Sequence, residues 1–110
     1  MTYTCAMEFI ETSIFTKQVI KLLPDTRYRM LQSTLMLNPG AGAIIKGSDG
    51  LRKVRWNLPG AGKKGALRII YYFDQPKTIY MLFMYKKNKQ EDLTPEQVKI
   101  LKKAVKENLL

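Results

Sequence analysis

Two basic, apolar strands joined by a glycine-rich turn constrain this chain more than any other feature of its sequence. Residues 51–72 read LRKVRWNLPGAGKKGALRIIYY. The valine, tryptophan, isoleucine and tyrosine residues favour β-strands, and the Pro-Gly segment favours a turn between them. Lysines and arginines are interspersed among these apolar residues. The sequence therefore predicts an electropositive surface on a β-sheet.

The positive charge of the chain is concentrated in its middle. Residues 46–89 hold eleven lysines and arginines against two aspartates, whereas residues 1–45 have a net charge of +1 and residues 90–110 a net charge of zero. The net charge of the whole chain is +10. A local patch of this strength predicts a polyanionic partner.

Composition excludes several classes of protein. The chain has one cysteine, Cys5, and no histidine, which excludes an internal disulfide and the usual zinc ligand sets. We expect no metal and no cofactor. No run approaches the roughly 18 apolar residues of a membrane span, and the N-terminus does not resemble a secretory signal. These features predict a cytoplasmic protein with no membrane partner.

The order of elements predicts a single α+β domain over residues 1–110. Residues 3–10 suit a first strand, and residues 51–58, 66–74 and 78–85 suit three consecutive antiparallel strands, since each is rich in β-branched and aromatic residues between turn signals. Helices are predicted between the first strand and the second, and again at the C-terminus. We expect a small antiparallel sheet with the helices packed on one face and the basic groups on the other.

Capping residues set the predicted helix boundaries. Ser13 is a candidate N-cap for a helix that ends before Pro24, and Asp25 is a candidate N-cap for the next one. Thr94, with Pro95 and Gln97 after it, predicts a capping box and an amphipathic last helix. Glu91 and Asp92 precede this helix, where negative charge complements the helix dipole, so we assign them that role rather than a catalytic one.

Two glycine motifs do not predict nucleotide binding. Gly60, Gly62 and Gly65 match GxGxxG, but strand-forming residues follow where a dinucleotide fingerprint needs a helix. A Walker loop also fails, because Lys63 is followed by Lys64 instead of serine or threonine. A flexible loop that presents these two lysines to a phosphate backbone is the interpretation that remains.

Without histidine, any hydrolysis of RNA depends on lysine, arginine and tyrosine. RNA supplies its own 2′-hydroxyl as nucleophile, and cationic side chains stabilise the extra charge of the pentacoordinate phosphorane. Arg68 opens the most apolar strand, where a charge needs a ligand or a partner carboxylate; an ion pair with Asp74 is the competing interpretation. Tyr85 is a candidate exposed platform for stacking with unpaired bases.

Three motifs together resemble the RelE superfamily of toxin–antitoxin systems, and the HigB-type toxins in particular. They are GLRKVRW, GKKGALRIIYYF and YKKNKQEDLTPEQ, in that order, and the resemblance spans nearly the whole chain. It implies a small α+β ribonuclease that enters the ribosomal A site, cuts translated mRNA there without a metal, and is silenced by a cognate antitoxin. Its implied partners are therefore mRNA, ribosomal RNA and the antitoxin.

The resemblance also implies roles for individual residues. It assigns binding and polarisation of the scissile phosphate to Lys53, Arg55 and Arg68, and assistance to the leaving group to Lys86 or Lys87. Some RelE proteins carry a tyrosine near the C-terminus that is proposed to help activate the 2′-hydroxyl. This chain has Glu91, Asp92 and Leu93 in that neighbourhood. Lys53, Lys86 and Tyr85 therefore all remain candidates for the base. The predicted substrate-binding residues are Arg52, Lys63, Lys64, Tyr85 and Lys89.

Two other functions are compatible with the same basic sheet. A non-catalytic RNA-binding or ribosome-binding module needs only the positive surface, with no residue of special importance. An interaction protein with an acidic partner needs the same surface and no ribonuclease activity. The first predicts a gradual loss of RNA affinity as basic residues are replaced, and the second predicts a tight protein complex without cleavage.

Overall fold

The computed structural model describes residues 7–57 and 66–107. Within them, a five-stranded sheet carries three helices. The strands are β1 (Glu8–Glu11), β2 (Ala43–Ile44), β3 (Arg52–Trp56), β4 (Leu67–Asp74) and β5 (Thr78–Lys86), and the helices are α1 (Ser13–Leu22), α2 (Asp25–Leu37) and α3 (Pro95–Lys106). The predicted α+β class and the predicted last four elements are confirmed. Residues 3–6 of the predicted first strand lie outside the described residues.

The sheet is mixed, which corrects the prediction of a purely antiparallel one. Its strand order is β1-β5-β4-β3-β2. β5, β4, β3 and β2 pair antiparallel, but β1 adds to the edge of β5 in parallel. Two long helices separate β1 from the other strands in sequence, and a connection of that length allows a parallel pairing that short hairpins do not.

The helices lie on both faces of the sheet, so the prediction that they share one face was wrong. α1 and α2 pack on one face, where Phe15, Leu31 and Leu35 meet Ile69 and the other inward side chains of β4 and β5. The opposite face has its own core, in which Leu101 of α3 packs with the residues Leu51, Ile70, Leu82 and Tyr85. Ile69 and Ile70 are both fully buried. A central strand that is apolar on both sides needs cover on both sides, and α3 supplies it.

A β-bulge in β5 changes which side chains share a face. Ile70 pairs with Phe83 and Tyr71 pairs with Met81, so Leu82 has no residue opposite it. Leu82 and Phe83 consequently both lie on the α3 face, and the alternation beyond them is shifted by one residue. This shift places Tyr85, rather than Met84, on the α3 face.

Helix starts follow the capping rules with two corrections. Thr12, rather than Ser13, caps α1: its Oγ1 accepts a hydrogen bond from the Phe15 backbone N–H at 3.0 Å and donates one to the Leu82 carbonyl at 2.8 Å. Pro24 precedes α2, and Asp25 is its first helical residue, paired with Arg29. The capping box of Thr94 and Gln97 is confirmed at α3.

A side chain completes the edge of β5 beyond the end of β1. The Gln18 side-chain amide donates to the Met84 carbonyl at 2.8 Å and accepts from the Met84 N–H at 2.9 Å. It thereby imitates the hydrogen bonds of a missing strand and blocks pairing with another chain at this edge.

No helix within residues 7–57 and 66–107 is long and apolar enough to cross a membrane.

Candidate functional site

Three basic side chains come together on the α3 face, at the end of the sheet where β3 finishes and β4 begins. Arg55 of β3 lies directly opposite Arg68 of β4, and Lys53 lies opposite Ile70, so Lys53 is the diagonal neighbour of Arg68. Alternation along the two strands puts all three on one face. We call Lys53, Arg55 and Arg68 the cationic cluster. The basic faces of the two strands therefore coincide.

The cluster is an unfavourable arrangement for the free protein. Like charges directly opposite each other on neighbouring strands destabilise a sheet. Arg68 is only 5% exposed, and its Nη1 atom is buried with no hydrogen-bond partner among the described residues. Among the residues that the structure describes, the Arg68 guanidinium thus keeps one buried donor without a partner. A buried charged donor binds most strongly to an anionic oxygen, whether of a carboxylate or of a phosphate.

The competing ion pair between Arg68 and Asp74 does not form. Asp74 lies at the opposite end of β4, where it pairs with Thr78, and six residues of extended strand separate it from Arg68. That separation corresponds to roughly 20 Å. Asp74 is therefore far out of reach, and the buried charge of Arg68 is not explained by it.

A carboxylate reaches the cluster from the loop before α3. Asp92 Oδ1 lies 2.6 Å from Lys53 Nζ, in a pair whose side chains are 71% and 30% exposed, respectively. The hydrogen bond from Lys53 lowers the pKa of Asp92, as do the charges of Lys53 and Arg68. Asp92 is therefore paired with a member of the cluster, a contact that its predicted role at the start of α3 did not include.

Tyr85 completes a row of three side chains across the sheet. It lies opposite Arg68 on β5, as Arg55 does on β3. Tyr85 is 5% exposed, and its hydroxyl approaches the Glu91 carbonyl at 3.4 Å, so it is not the predicted exposed stacking platform. Burial, together with the charge of Asp92, raises the pKa of Tyr85 against the opposing effect of Arg68. A phenol with a raised pKa keeps its proton at neutral pH and acts as a donor rather than a base.

The remaining predicted residues divide between this end of the sheet and other places. Lys87 and Lys89 follow β5 at the same end: Lys87 N–H donates to the Ala66 carbonyl, and Lys89 N–H to the Lys86 carbonyl. Lys86 pairs with Leu67, whose side chain lies in the α1–α2 core, so alternation puts Lys86 on that face. Lys63 and Lys64 lie outside the described residues.

Arg52 has a structural partner away from the cluster. Its Nη1 donates to the Gly42 carbonyl at 2.7 Å and to the Gly40 carbonyl at 3.4 Å. Tyr71 holds the same turn, because its hydroxyl accepts from the Gly42 N–H at 2.8 Å and donates to the Pro39 carbonyl at 2.7 Å. Arg52 and Tyr71 therefore fix the first PGAG segment against β3 and β4, and Arg52 does not belong to the cationic cluster.

The sequence analysis did not predict the contact of Asp92 with Lys53. The signal for Asp92 was weak, because 39 residues separate it from Lys53 and a loop position carries no periodicity. Among the described residues, no group of three or more cysteine and acidic side chains is arranged to hold a metal ion.

Comparison with known proteins bears on the fold. No protein-family model matches the sequence. Among solved structures, the chain is similar to the E. coli toxin RelE, in a mutant form in the free state, with a TM-score of 0.55 and 17% sequence identity. The match covers 78% of this chain and 88% of that chain. The chain therefore has a RelE-like fold.

Proposed function

We propose that this protein is a ribosome-dependent mRNA endoribonuclease, a toxin of the HigB type that inhibits translation in the cytoplasm and is neutralised by a cognate antitoxin. One observation carries the proposal: on a RelE-like fold, the buried Arg68 has an Nη1 donor with no partner among the described residues, beside Arg55 and Lys53. Among the described residues, Lys53 is the one member of the cluster with a carboxylate partner, and Arg68 keeps a buried donor without one, so the cluster is suited to binding the phosphates of RNA. It is equally suited to stabilising charge that develops on that phosphate.

The bond-breaking step needs no group beyond the RNA and the protein. The 2′-hydroxyl of the nucleotide before the cut gives up its proton to a basic side chain and attacks the adjacent phosphorus, the bond to the 5′-oxygen of the next nucleotide breaks, and that oxygen takes up a proton. The products of this step are a 5′-hydroxyl and a 2′,3′-cyclic phosphate, which water then opens to a 3′-phosphate. The phosphorane between them carries one more negative charge than the ground state, and the cations of the cluster stabilise that charge.

Individual roles follow from position. Arg68, held by β4 with its neighbours buried, supplies the most rigid donor, while Arg55 and Lys53 bind the remaining phosphate oxygens. Of the two candidates for protonating the leaving oxygen, Lys87 lies at the cluster end of the sheet and Lys86 on the other face, so we favour Lys87. The raised pKa of Tyr85 argues against Tyr85 as the base.

Asp92 competes with RNA for Lys53, which gives a first prediction. Asp92→Asn removes one negative charge from the cluster and frees the Lys53 ammonium for a phosphate. We expect the affinity for single-stranded RNA to rise about threefold at moderate salt, and its dependence on salt to steepen by about one phosphate contact. Filter binding at several salt concentrations measures both quantities.

Asp74→Asn is the matched control, because it makes the same charge change at the far end of β4. An equal rise in RNA affinity for both variants would show that only net charge matters. The sign of the pH effect also follows. Because the Asp92 pKa is lowered, its pair with Lys53 persists at neutral pH and is lost only as the pH falls through that lowered value, below the ordinary 3.8.

The proposed activity is tested by mapping new 5′ ends on a defined mRNA by primer extension. We expect discrete cuts when the message is translated and none when the same message is incubated with idle ribosomes or alone. RNA that is bound but never cut identifies a non-catalytic RNA-binding module. A tight complex with an acidic protein, again without cuts under translation, identifies an interaction protein that has lost the activity.

A further inference from the structure

A second concentration of lysines lies beside α3, away from the cationic cluster. Two adjoining cavities, of about 540 and 460 Å³, run between α3 and the loop of residues 45–51 and share the side chains of Lys99 and Lys102. We call them together the α3 groove. Its lysines are Lys46, Lys99, Lys102, Lys103 and Lys106. Four of these lysines belong to residues 90–110, so that segment presents a basic surface although its net charge is zero.

Charge along α3 is segregated rather than mixed. Glu91, Asp92 and Glu96 precede or begin the helix, and its four lysines all follow. Cations in the last turn stabilise the helix dipole, which accounts for Lys103 and Lys106. The dipole does not account for Lys99, which lies earlier in the helix, or for Lys46 on the facing loop.

Most of these lysines have no ionic partner in the part of the chain that the structure describes. Lys102 pairs with Asp49 at 3.4 Å and donates to the Gly47 carbonyl at 3.3 Å, which fixes the loop against the helix. Glu107 is the other acidic residue that lines the groove. Lys99, Lys103 and Lys106 are exposed and, within the described residues, form no ion pair. Three free cations at positions i, i+4 and i+7 follow one face of the helix.

We propose that the α3 groove is a second phosphate-binding surface, which docks the protein on ribosomal RNA while the message occupies the cationic cluster. This inference rests on the proposed function. The groove is open and long: Lys99 and Lys106 are separated by roughly 10 Å along the helix, enough for successive phosphates of one strand. The groove and the cationic cluster share the α3 face, because Leu51 of the groove and Lys53 of the cluster both belong there.

The test removes three charges from the groove and compares the result with the removal of three charges elsewhere. The groove variant carries Lys99→Gln, Lys103→Gln and Lys106→Gln; the control carries Lys17→Gln, Lys21→Gln and Lys77→Gln, all exposed and outside the groove. Both variants have the same net charge. The measurement is the affinity for purified ribosomes, by sedimentation at a series of salt concentrations, with a parallel cleavage assay on translated mRNA.

We expect the groove variant to bind ribosomes about tenfold more weakly than the control, with a salt slope reduced by about three phosphate contacts. At saturating ribosome concentration its cleavage rate should equal that of the control, because the cationic cluster is intact. Equal ribosome affinity of the two variants would overturn the inference. Stronger competition by poly-glutamate than by ribosomal RNA for the groove of the wild-type protein would also overturn the inference. That result would indicate an acidic protein partner.

The two proposals fail in different ways in this experiment. Ribosome binding that depends on the groove, without cleavage by the wild-type protein, would overturn the proposed endoribonuclease activity and leave the docking surface in place. Cleavage of translated mRNA by the wild-type protein, the groove variant and the control, with the same dependence on ribosome concentration, would support the endoribonuclease activity. It would overturn the docking surface.

Discussion

Arg68→Met should lower the rate of cleavage of translated mRNA by about two to three orders of magnitude and leave the protein at least as stable as before. The loss of activity follows because one preorganised donor to a developing charge contributes about 3–4 kcal/mol to the transition state. The stability follows because Arg68 is 5% exposed and its Nη1 has no partner among the described residues. A buried, incompletely hydrogen-bonded cation costs folding free energy, and methionine fills a similar volume without that cost.

The measurement pairs single-turnover cleavage with urea unfolding. Arg29→Met is the matched control. Arg29 is an exposed residue of α2, and within the described part of the chain its only ion pair is the surface contact with Asp25. This control should change neither the cleavage rate nor the free energy of unfolding appreciably. Near-normal cleavage by folded Arg68→Met would remove Arg68 from the site. A large loss of stability would show that the guanidinium is satisfied in the free protein.

Gly42→Ala should lower the free energy of unfolding by roughly 1–3 kcal/mol, as expected for overpacking against groups that have no room to move. A Cβ atom at Gly42 would lie 2.9 Å from Tyr71 Cε1 and 3.0 Å from the backbone carbon and oxygen of Lys53. Tyr71 is fully buried and its hydroxyl is bonded on both sides, so its ring does not shift freely. The backbone of Lys53 belongs to β3.

Gly40→Ala is the control, two residues earlier in the same PGAG segment. A Cβ there would meet Asn38 Oδ1 at 3.7 Å and Arg52 Nη1 at 3.9 Å, which are ordinary contacts. We expect a neutral effect or a small gain in stability from the lower entropy of the unfolded chain. Urea unfolding of both variants makes the comparison. Equal stability of the two would mean that the turn does not pack tightly on Tyr71 and β3.

Local sequence signals predicted the elements that depend on local physics. The capping box at Thr94 and the three strands over residues 51–85 follow from side-chain chemistry within a few residues, and both are found. The parallel addition of β1 is different, since it depends on contacts with β5 about seventy residues away. β2, with two residues, is too short to have a detectable pattern.

The face of the sheet on which α3 packs was also beyond local reasoning. Amphipathicity predicts that Leu101 and Val105 face inward, but it does not say toward which core. The strand sequence contained a hint, because Ile69, Ile70 and Tyr71 are consecutive apolar residues and such runs occur where both faces of a strand are covered.

The candidate site was predictable in its residue types and only partly in its geometry. Alternation along β3 and β4 accounts for the shared face of Lys53, Arg55 and Arg68, since no irregularity interrupts the pairing of the two strands. Tyr85 reaches the same row only because of the bulge at Leu82, which strict alternation does not foresee. The contact between Asp92 and Lys53 joins a loop to a strand and has no periodic signature.

The central claim is that the cationic cluster stabilises attack by the message's own 2′-hydroxyl on the ribosome. The most direct test uses two synthetic messages that differ by a single 2′-deoxynucleotide on the 5′ side of a mapped cut, each translated with the wild-type protein. We predict cleavage of the all-ribose message and loss of that one cut, with others retained, in the deoxy message. Undiminished cutting at the deoxy position would contradict the account, because another nucleophile would then be attacking the phosphate.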